Sequence, residues 1–290
     1  MKYLTPNTDD TMPNQDTIQT LKHSTLQHGP YNRRIYLMKL DPRDLPDIVM
    51  QLDMLAHEAG YDKILAKVQR KHRARFASCG FIQEGAVPEY FRNGDDALFM
   101  AKYLSIRRKR RVDTDDIKEI LSLCRQKACR PAFNRIAENQ SAHDCRPADA
   151  AEMSRLFQTV FQTYPFPVFE PGFLMDCMNS HARYFCIRRK GKMIAVSAAE
   201  IDAVNHSAEM TDFATLAKYR SRGLAGFLLA KMERAMAQQG ITTLFSIARA
   251  LSPAMNITFA KFGYTYAGTL VNNTNISGRI ESMNLWYKKI

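Results

Sequence analysis

Apolar residues recur at helical spacing through Leu45, Ile48, Val49, Leu52 and Leu55, and the run closes at Gly60, which predicts a helix with a glycine stop. A short strand, KILAKV, follows. Further on, RYFCIRRKGKMIAVSAAEID reads as two strands turning at Lys190-Gly191, and AEMTDFATL as a third. From Gly223 to Gly240, Leu224, Phe227, Leu228, Met232, Ala235 and Met236 share one face of a long helix. Strand TLFSIAR, helix MNITFAKFG and two more strands complete the chain, the last being ESMNLWYKK. Strands and helices alternate, so the class is α/β, a mixed sheet flanked by helices. Residues 1–30 are rich in Thr, Asn, Gln, Asp and Pro with few periodic apolar positions, and are expected to form a disordered tail outside the fold.

The pattern repeats. FASCGFIQEG, Phe76 to Gly85, and FAKFGYTYAG, Phe259 to Gly268, share Phe, Ala, Gly, an aromatic and a final Gly in register, and at the same offset Met100 falls on Met283. Gly60 and Gly240 each close a helix and precede a strand. The chain therefore reads as one helix–strand–helix–strand–strand unit present twice, as a half domain over 31–106 and a complete domain over 142–290. A connector, 107–141, carries a helix with Ile117, Ile120, Leu121 and Cys124 on one face. Its basic run, Arg107 to Arg111, reads as a solvated linker; few aromatics interleave with it, which disfavours base stacking and nucleic acid as a partner.

A net charge of +12 attracts anions, but nucleic acid, anionic lipid and phosphorylated cofactors all qualify. The six cysteines form no C-x-x-C pair, so no metal site is expected and the thiols read as reduced. The longest apolar run, Met193 to Ala199, is too short to span a bilayer, and no secretory signal is evident. No membrane association is expected, and the location is expected to be cytoplasmic.

The most specific chemistry lies in YRSRGLAG, Tyr219 to Gly226. Unpaired N–H groups at the start of the long helix carry partial positive charge, Gly223 lets a ligand approach them, and Arg220 and Arg222 flank the position, a constellation suited to a pyrophosphate. Close helix packing is the alternative use for such a glycine. No G-x-x-x-x-G-K-[ST], G-x-G-x-x-G or G-x-S-x-G competes.

Arg220-Ser221-Arg222-Gly223-Leu224-Ala225 resembles the R/Q-x-x-G-x-G/A signature of the GNAT superfamily of acetyl-CoA-dependent N-acetyltransferases, and FAKFGY resembles its helix ending in a Gly-aromatic pair. The order of elements from Cys145 to Ile290 is similar too. EMTDFATLAKYRSRGLA, ARALSPAMNITFAKFGY, TLVNNTNISGRIESMNLWYK and, in the first half, GFIQEGAVPEYF resemble the β-lysine N-acetyltransferases, which make the compatible solute N6-acetyl-β-lysine. The resemblance implies acetyl-CoA as cofactor, with Phe213, Ala214 and Thr215 along its pantetheine arm and Arg220, Ser221, Arg222, Gly223, Leu224 and Ala225 at its pyrophosphate. Ser252, Asn256 and Phe259 fall beside it. The first half carries LMKLDPRDLPDI where the glycine loop belongs, which implies a degenerate GNAT-like copy that packs beside the active one and walls the substrate pocket.

The implied reaction needs a neutral amine, whereas a lysine-type amine, with an ordinary pKa near 10.4, is protonated at neutral pH. A base is therefore required, and the resemblance implies Glu209, since members of the superfamily often carry a catalytic Glu on this strand at the same separation ahead of the motif, with Asp212 in reserve on the opposite face unless a bulge intervenes. Relatives often carry a tyrosine as general acid where this chain has Phe259, which leaves Tyr264 or Tyr266 as substitutes. For a small diamino acid, Tyr164 and Phe166 would cover the pocket, while Arg249, Asn273, Asn275 and Glu281 supply polar groups. Other acceptors, namely another small amine, a protein or RNA, stay open, as does a non-catalytic acyl-CoA- or nucleic-acid-binding module. The oligomeric state, a dimer included, is not legible.

Overall fold

The structure, a computed structural model, describes residues 16–110, 113–128 and 140–290, and joins thirteen strands in one sheet. In chain order these are β1 (Thr17–Leu21), β2 (Ser24–Gly29), β3 (Arg34–Lys39), β4 (Lys63–Gln69), β5 (Ile82–Val87), β6 (Ala97–Tyr103), β7 (Gln140–Asp144), β8 (Ala182–Arg189), β9 (Lys192–Asp202), β10 (Ser207–Thr215), β11 (Thr243–Arg249), β12 (Thr265–Ile276) and β13 (Arg279–Lys289). Eight α-helices accompany them: α1 (Ile48–Glu58), α2 (Arg73–Ser78), α3 (Ile106–Lys109), α4 (Thr114–Lys127), α5 (Ala150–Val160), α6 (Pro171–Ser180), α7 (Leu224–Gln238) and α8 (Pro253–Lys261).

The strand order is β1-β2-β3-β4-β6-β5-β12-β13-β11-β10-β9-β8-β7. Read outward from its middle, β5-β6-β4-β3 mirrors β12-β13-β11-β10, with β3∥β4 and β10∥β11 as matching parallel pairs. The two sets meet at Gly85 opposite Gly268. No side chain fits there: a Cβ on Gly268 would lie 2.1 Å from the carbonyl oxygen of Glu84, and one on Gly85 would lie 3.0 Å from that of Ala267. The two final glycines of the repeated string are the seam of the sheet.

Sheet alternation sorts the core. Tyr36, Leu65, Phe99, Phe245 and Leu285 face α5 and α6 in a single core that crosses the seam. On the other face Ile35, Ile64 and Leu98 pack under α1 and α2, while Leu244 and Trp286 join Leu228 and Met232 of α7, Phe259 of α8 and Ile120 of α4. The halves share one sheet and the core on one of its faces, while on the other face each keeps its own.

Two expectations are corrected. The tail assigned to 1–30 ends earlier: β1 and β2 form a hairpin that extends the sheet beyond β3, with Asp16 buried and accepting from Asn32 Nδ2 at 2.6 Å. TIQTLKHSTLQHG reads as polar because β1 is an exposed edge strand. Residues 1–15 lie outside the described residues. Within the basic run, Arg108 is not solvated but buried. The physical reason is a register shift in β12 between Leu270 and Thr274, which takes carbonyls out of the ladder. Three successive oxygens each receive a cation from the first half or the connector: Val271 from Lys63 Nζ (2.7 Å), Asn272 from Arg108 Nε (2.6 Å) and Asn273 from Arg34 Nη1 (2.8 Å). Lys109 and Arg110 stay exposed, and Arg111 lies outside the described residues, as does Cys129. Among the described residues no helix is long and apolar enough to cross a membrane, and no group of three or more metal-ligating side chains forms.

Candidate active site

β10 and β11 pair only through Ser207↔Thr243, Ala208↔Leu244 and Glu209↔Phe245, although they run on to Thr215 and Arg249. Beyond that point they part. The cause lies in β10, where a bulge between Thr211 and Ala214 shifts its pairing with β9 and puts Asp212 at φ +56°, a left-handed conformation that Asp tolerates better than most residues. The parted strands open a cavity of about 740 Å³. Its walls come from β10, β11, the start of α7, the 160–166 loop and, across the seam, β3 and β4.

At one end lies the start of α7. Gly223 adopts φ +74° and its carbonyl takes the first helical bond from Phe227 N (3.0 Å), so the N–H groups of Leu224, Ala225 and Gly226 precede any partner in the helix. No side chain caps this end and its first turn holds no acid. Arg220, Ser221, Gly223, Leu224 and Ala225 line the cavity here. A cradle of free main-chain donors beside a guanidinium suits the pyrophosphate of coenzyme A, and the widening gap between β10 and β11, with Phe213 and Thr215 at its edge, suits a pantetheine arm. The residues present fit the cofactor.

Farther in stand three carboxylates. Glu200 of β9 lies directly opposite Glu209 of β10 in the ladder, and the bulge turns Asp212 into the same cavity. Like charges opposed on neighbouring strands oppose folding, so their presence needs a ligand or a proton to explain it. Protein surrounds all three, and what surface Glu209 exposes opens into the cavity. Burial and then the Glu200 charge push the Glu209 carboxyl up to about 8. The same two causes push Asp212 up to about 7, against the Tyr164 hydroxyl, which donates to Asp212 Oδ1 at 2.5 Å. Glu200 is raised as well, by burial. A carboxylate of this kind can take a proton from an ammonium near neutral pH, which an ordinary surface carboxylate does poorly. Lys67 of β4 faces the group, with Nζ donating to Tyr90 OH at 2.9 Å and lying 5.5 Å from the Phe245 ring centre.

Of the residues expected from sequence, Tyr164, Phe166, Glu209, Asp212, Phe213, Thr215, Arg220, Ser221, Gly223, Leu224, Ala225, Arg249, Ser252, Phe259 and Asn273 line the cavity. The strand-alternation argument placed Asp212 on the opposite face from Glu209; the bulge puts both on one. Seven of the expected residues do not line the cavity. Ala214 turns its side chain into the core, since it follows the bulge. Arg222 bends back to the Lys218 carbonyl (3.2 Å) and lies over the Tyr219 ring. Asn256 is buried with both ends of its amide used: Nδ2 donates to Arg249 O and Ser252 O, while Oδ1 accepts from Asn284 Nδ2 and Trp286 Nε1. It sets the turn that carries Ser252 rather than lining the cavity. Tyr264 is buried between Phe259 and Lys288 and does not reach the cavity; Tyr266 bonds Thr269 outside it. Asn275 donates to Tyr31 O (3.0 Å) at the seam. Glu281 is the counter-ion of Arg249, at 2.9 Å, and of Arg279.

Sequence reading missed Glu200, Lys67, Tyr36, Arg34 and Gly226. Only Glu200 had a signal: the hairpin turn at Lys190-Gly191 and the strand after it fix a register that faces it with Glu209. Gly226 both lines the cavity and admits Phe262 of the next helix, 3.0 Å from where its Cβ would stand, so glycine also serves close packing here.

An open helix start and a carboxylate cluster across a split between parallel strands define an acyl-transfer site, and residues 150–264 match the Acetyltransferase (GNAT) family. The chain belongs to the GNAT acetyltransferases and is an N-acetyltransferase that uses acetyl-CoA. It is 37% identical over 273 residues to a β-lysine N(6)-acetyltransferase of Methanococcus maripaludis, covering 94% of this chain and 98% of that one. It is 33% identical over 277 residues to the N-acetyltransferase YodP of Bacillus subtilis (92% and 96% covered), and 25% identical over 264 residues to a β-lysine N(6)-acetyltransferase of Methanosarcina mazei (84% and 97%). These matches run through both halves of the sheet.

Proposed function

We propose that the protein transfers the acetyl group of acetyl-CoA to the side-chain amine of β-lysine, giving N6-acetyl-β-lysine, a compatible solute made in the cytoplasm during osmoadaptation. The observation that carries this reading is the three-carboxylate wall of a cavity that ends at the open start of α7. An amine acceptor uses such a wall twice over, once to take the proton of its ammonium and once to stabilise the charge that the attacking nitrogen acquires. The full-length similarity to β-lysine N(6)-acetyltransferases supports the same acceptor.

When bound, acetyl-CoA supplies an activated thioester. The chain does the rest. The free N–H groups of α7 and Arg220 hold the pyrophosphate, and Phe213 and Thr215 border the arm. Glu209 takes the proton of the incoming ammonium, since it meets the gap where β10 and β11 part, and its raised pKa suits proton transfer near neutrality. Asp212, held by Tyr164, stabilises the positive charge that develops on the attacking nitrogen. No tyrosine of the expected pair reaches the cavity, so the departing thiolate, whose thiol has an ordinary pKa near 8.5, takes its proton from water. The first half, 31–106, is on this reading a copy of the same unit that has lost its cofactor cradle and become a wall of the acceptor pocket. The 160–166 loop over the cavity favours a small acceptor over a protein or RNA.

Product analysis by mass spectrometry after incubation with acetyl-CoA and β-lysine tests the proposal. A singly acetylated product, modified at N6, is expected; turnover confined to macromolecular acceptors would sink it.

A further inference from the structure

The three cations that hold the β12 bulge differ in one respect. Lys63 is neutralised by Glu84 at 2.9 Å and Arg108 by Asp62 at 2.8 Å. Arg34, only 3% exposed, pairs with no carboxylate among the described residues, and its Nε has no acceptor. It is also the one of the three that lines the cavity. A buried guanidinium without a counter-ion is strongly unfavourable unless an anion completes it. Beside it, Asn273, whose main-chain oxygen Arg34 holds at 2.8 Å, lines the same cavity with its Oδ1 lacking a donor. Two touching residues that line the cavity thus carry one orphan donor, on a cation, and one orphan acceptor.

We infer that Arg34 and Asn273 form the seat for the amino-acid head of the acceptor, with Arg34 Nε donating to its carboxylate and Asn273 Oδ1 accepting from the ammonium that is not acetylated. This rests on the reading of the acceptor as β-lysine, and deepens it. The placement agrees with the chemistry: Arg34 and Tyr36 share a face of β3 about 7 Å apart, and Tyr36 lies within electrostatic range of Glu209. An extended lysine-sized chain bridges that distance, its head at Arg34 and its reacting amine at the carboxylates. Of the other first-half cations that line the cavity, Lys39 is exposed at the end of β3, and Lys67 belongs to the far end, where it bonds Tyr90 and acts on Glu209. The first half then supplies recognition of the acid function, by which the enzyme tells an amino acid from a diamine.

The test compares β-lysine, α-lysine and 1,5-diaminopentane as acceptors at saturating acetyl-CoA, and titrates β-lysine calorimetrically into the protein with CoA present. Arg34→Met is expected to raise KM for β-lysine about 100-fold, as for loss of a charged hydrogen bond, with kcat and the diamine KM little changed; calorimetric affinity falls in parallel, and Arg34→Lys lies between. If Arg34→Met weakens folding by freeing the Asn273 carbonyl, Asn273→Ala leaves that carbonyl in place; it should raise KM for β-lysine about tenfold and leave 6-aminohexanoate, which lacks the second amine, unaffected. An unchanged KM for β-lysine in both variants, or an equal rise for the diamine, overturns the seat while leaving the proposed function standing. Wild-type enzyme that prefers α-lysine removes β-lysine as substrate but keeps the seat. Preference for the diamine removes both.

Discussion

Two strand-to-helix passages occupy mirrored places in the sheet, β3 into α1 and β10 into α7. In each, the strand pairs in parallel with a partner that begins three residues after a helix-ending glycine, Gly60 or Gly240, which aligns Arg34 with Ser207 and Tyr36 with Glu209. The passage after β3 is occupied by the chain's own acids. Asp44 is buried and accepts from Ser24 Oγ (2.6 Å) and His23 N (3.0 Å), Asp41 accepts from Arg43 N, and Asp47 meets Lys22. Neither first turn holds an acid, but the residue at the start of α1 is Asp47, whereas after β10 the corresponding stretch holds Arg220 and Ser221, with Gly223 at the start of α7. Both helices have the same dipole. A helix start becomes an anion site when the chain withholds its own anions from it.

The sharpest way to break the comparison is at Glu209 and its counterpart. Glu209→Gln should lower kcat by about 10²–10⁴, the range for loss of a general base, while Tyr36→Phe should retain the proton-transfer step and its pH profile. Because Glu209 must be ionised to act and titrates at about 8, with Asp212 at about 7, wild-type kcat/KM should fall as pH is lowered through that interval. A profile that is flat from pH 9 to pH 6 in stopped-assay rates would remove both carboxyls from the proton path.

Next in size is the cradle. Gly223→Val forces a β-branched residue to φ +74° and fills the approach to the amides, so coenzyme A affinity by calorimetry should drop at least ~100-fold. Asp44→Ala, at the acid-filled passage, should leave that affinity untouched. Arg220→Met should raise KM for acetyl-CoA about tenfold, an effect that shrinks as salt is added.

The smallest effects are in stability. Asp44→Ala should cost about 1–3 kcal/mol in denaturant unfolding through the buried donors it strands. Glu209→Gln should do the reverse. The Glu209 carboxyl keeps its proton in the folded protein up to about pH 8, whereas in the unfolded chain it loses it near the ordinary 4.5, so folding is opposed increasingly between those values. The variant should therefore melt higher than wild type at pH 8 and near it at pH 4.5; an equal melting temperature at pH 8 would mean that Glu209 carries no unfavourable charge.

What the sequence determined by itself is local. The start of α7 was legible because Gly223, the flanking arginines and the apolar stripe act within one turn of each other, and the repeated Phe-Ala-x-x-Gly string was legible because both copies kept the glycine the seam requires. Glu209 and the loop at Tyr164 and Phe166 were named from the family resemblance. Tertiary structure alone decided the rest. The bulge that turned Asp212 beside Glu209, the opposition of Glu200, the burial of Arg108 and Arg34 against β12, and the first hairpin's place on the sheet all depend on pairing between strands far apart in the chain. Register fixes which side chains share a cavity, and a shift of one residue reverses every facing beyond it.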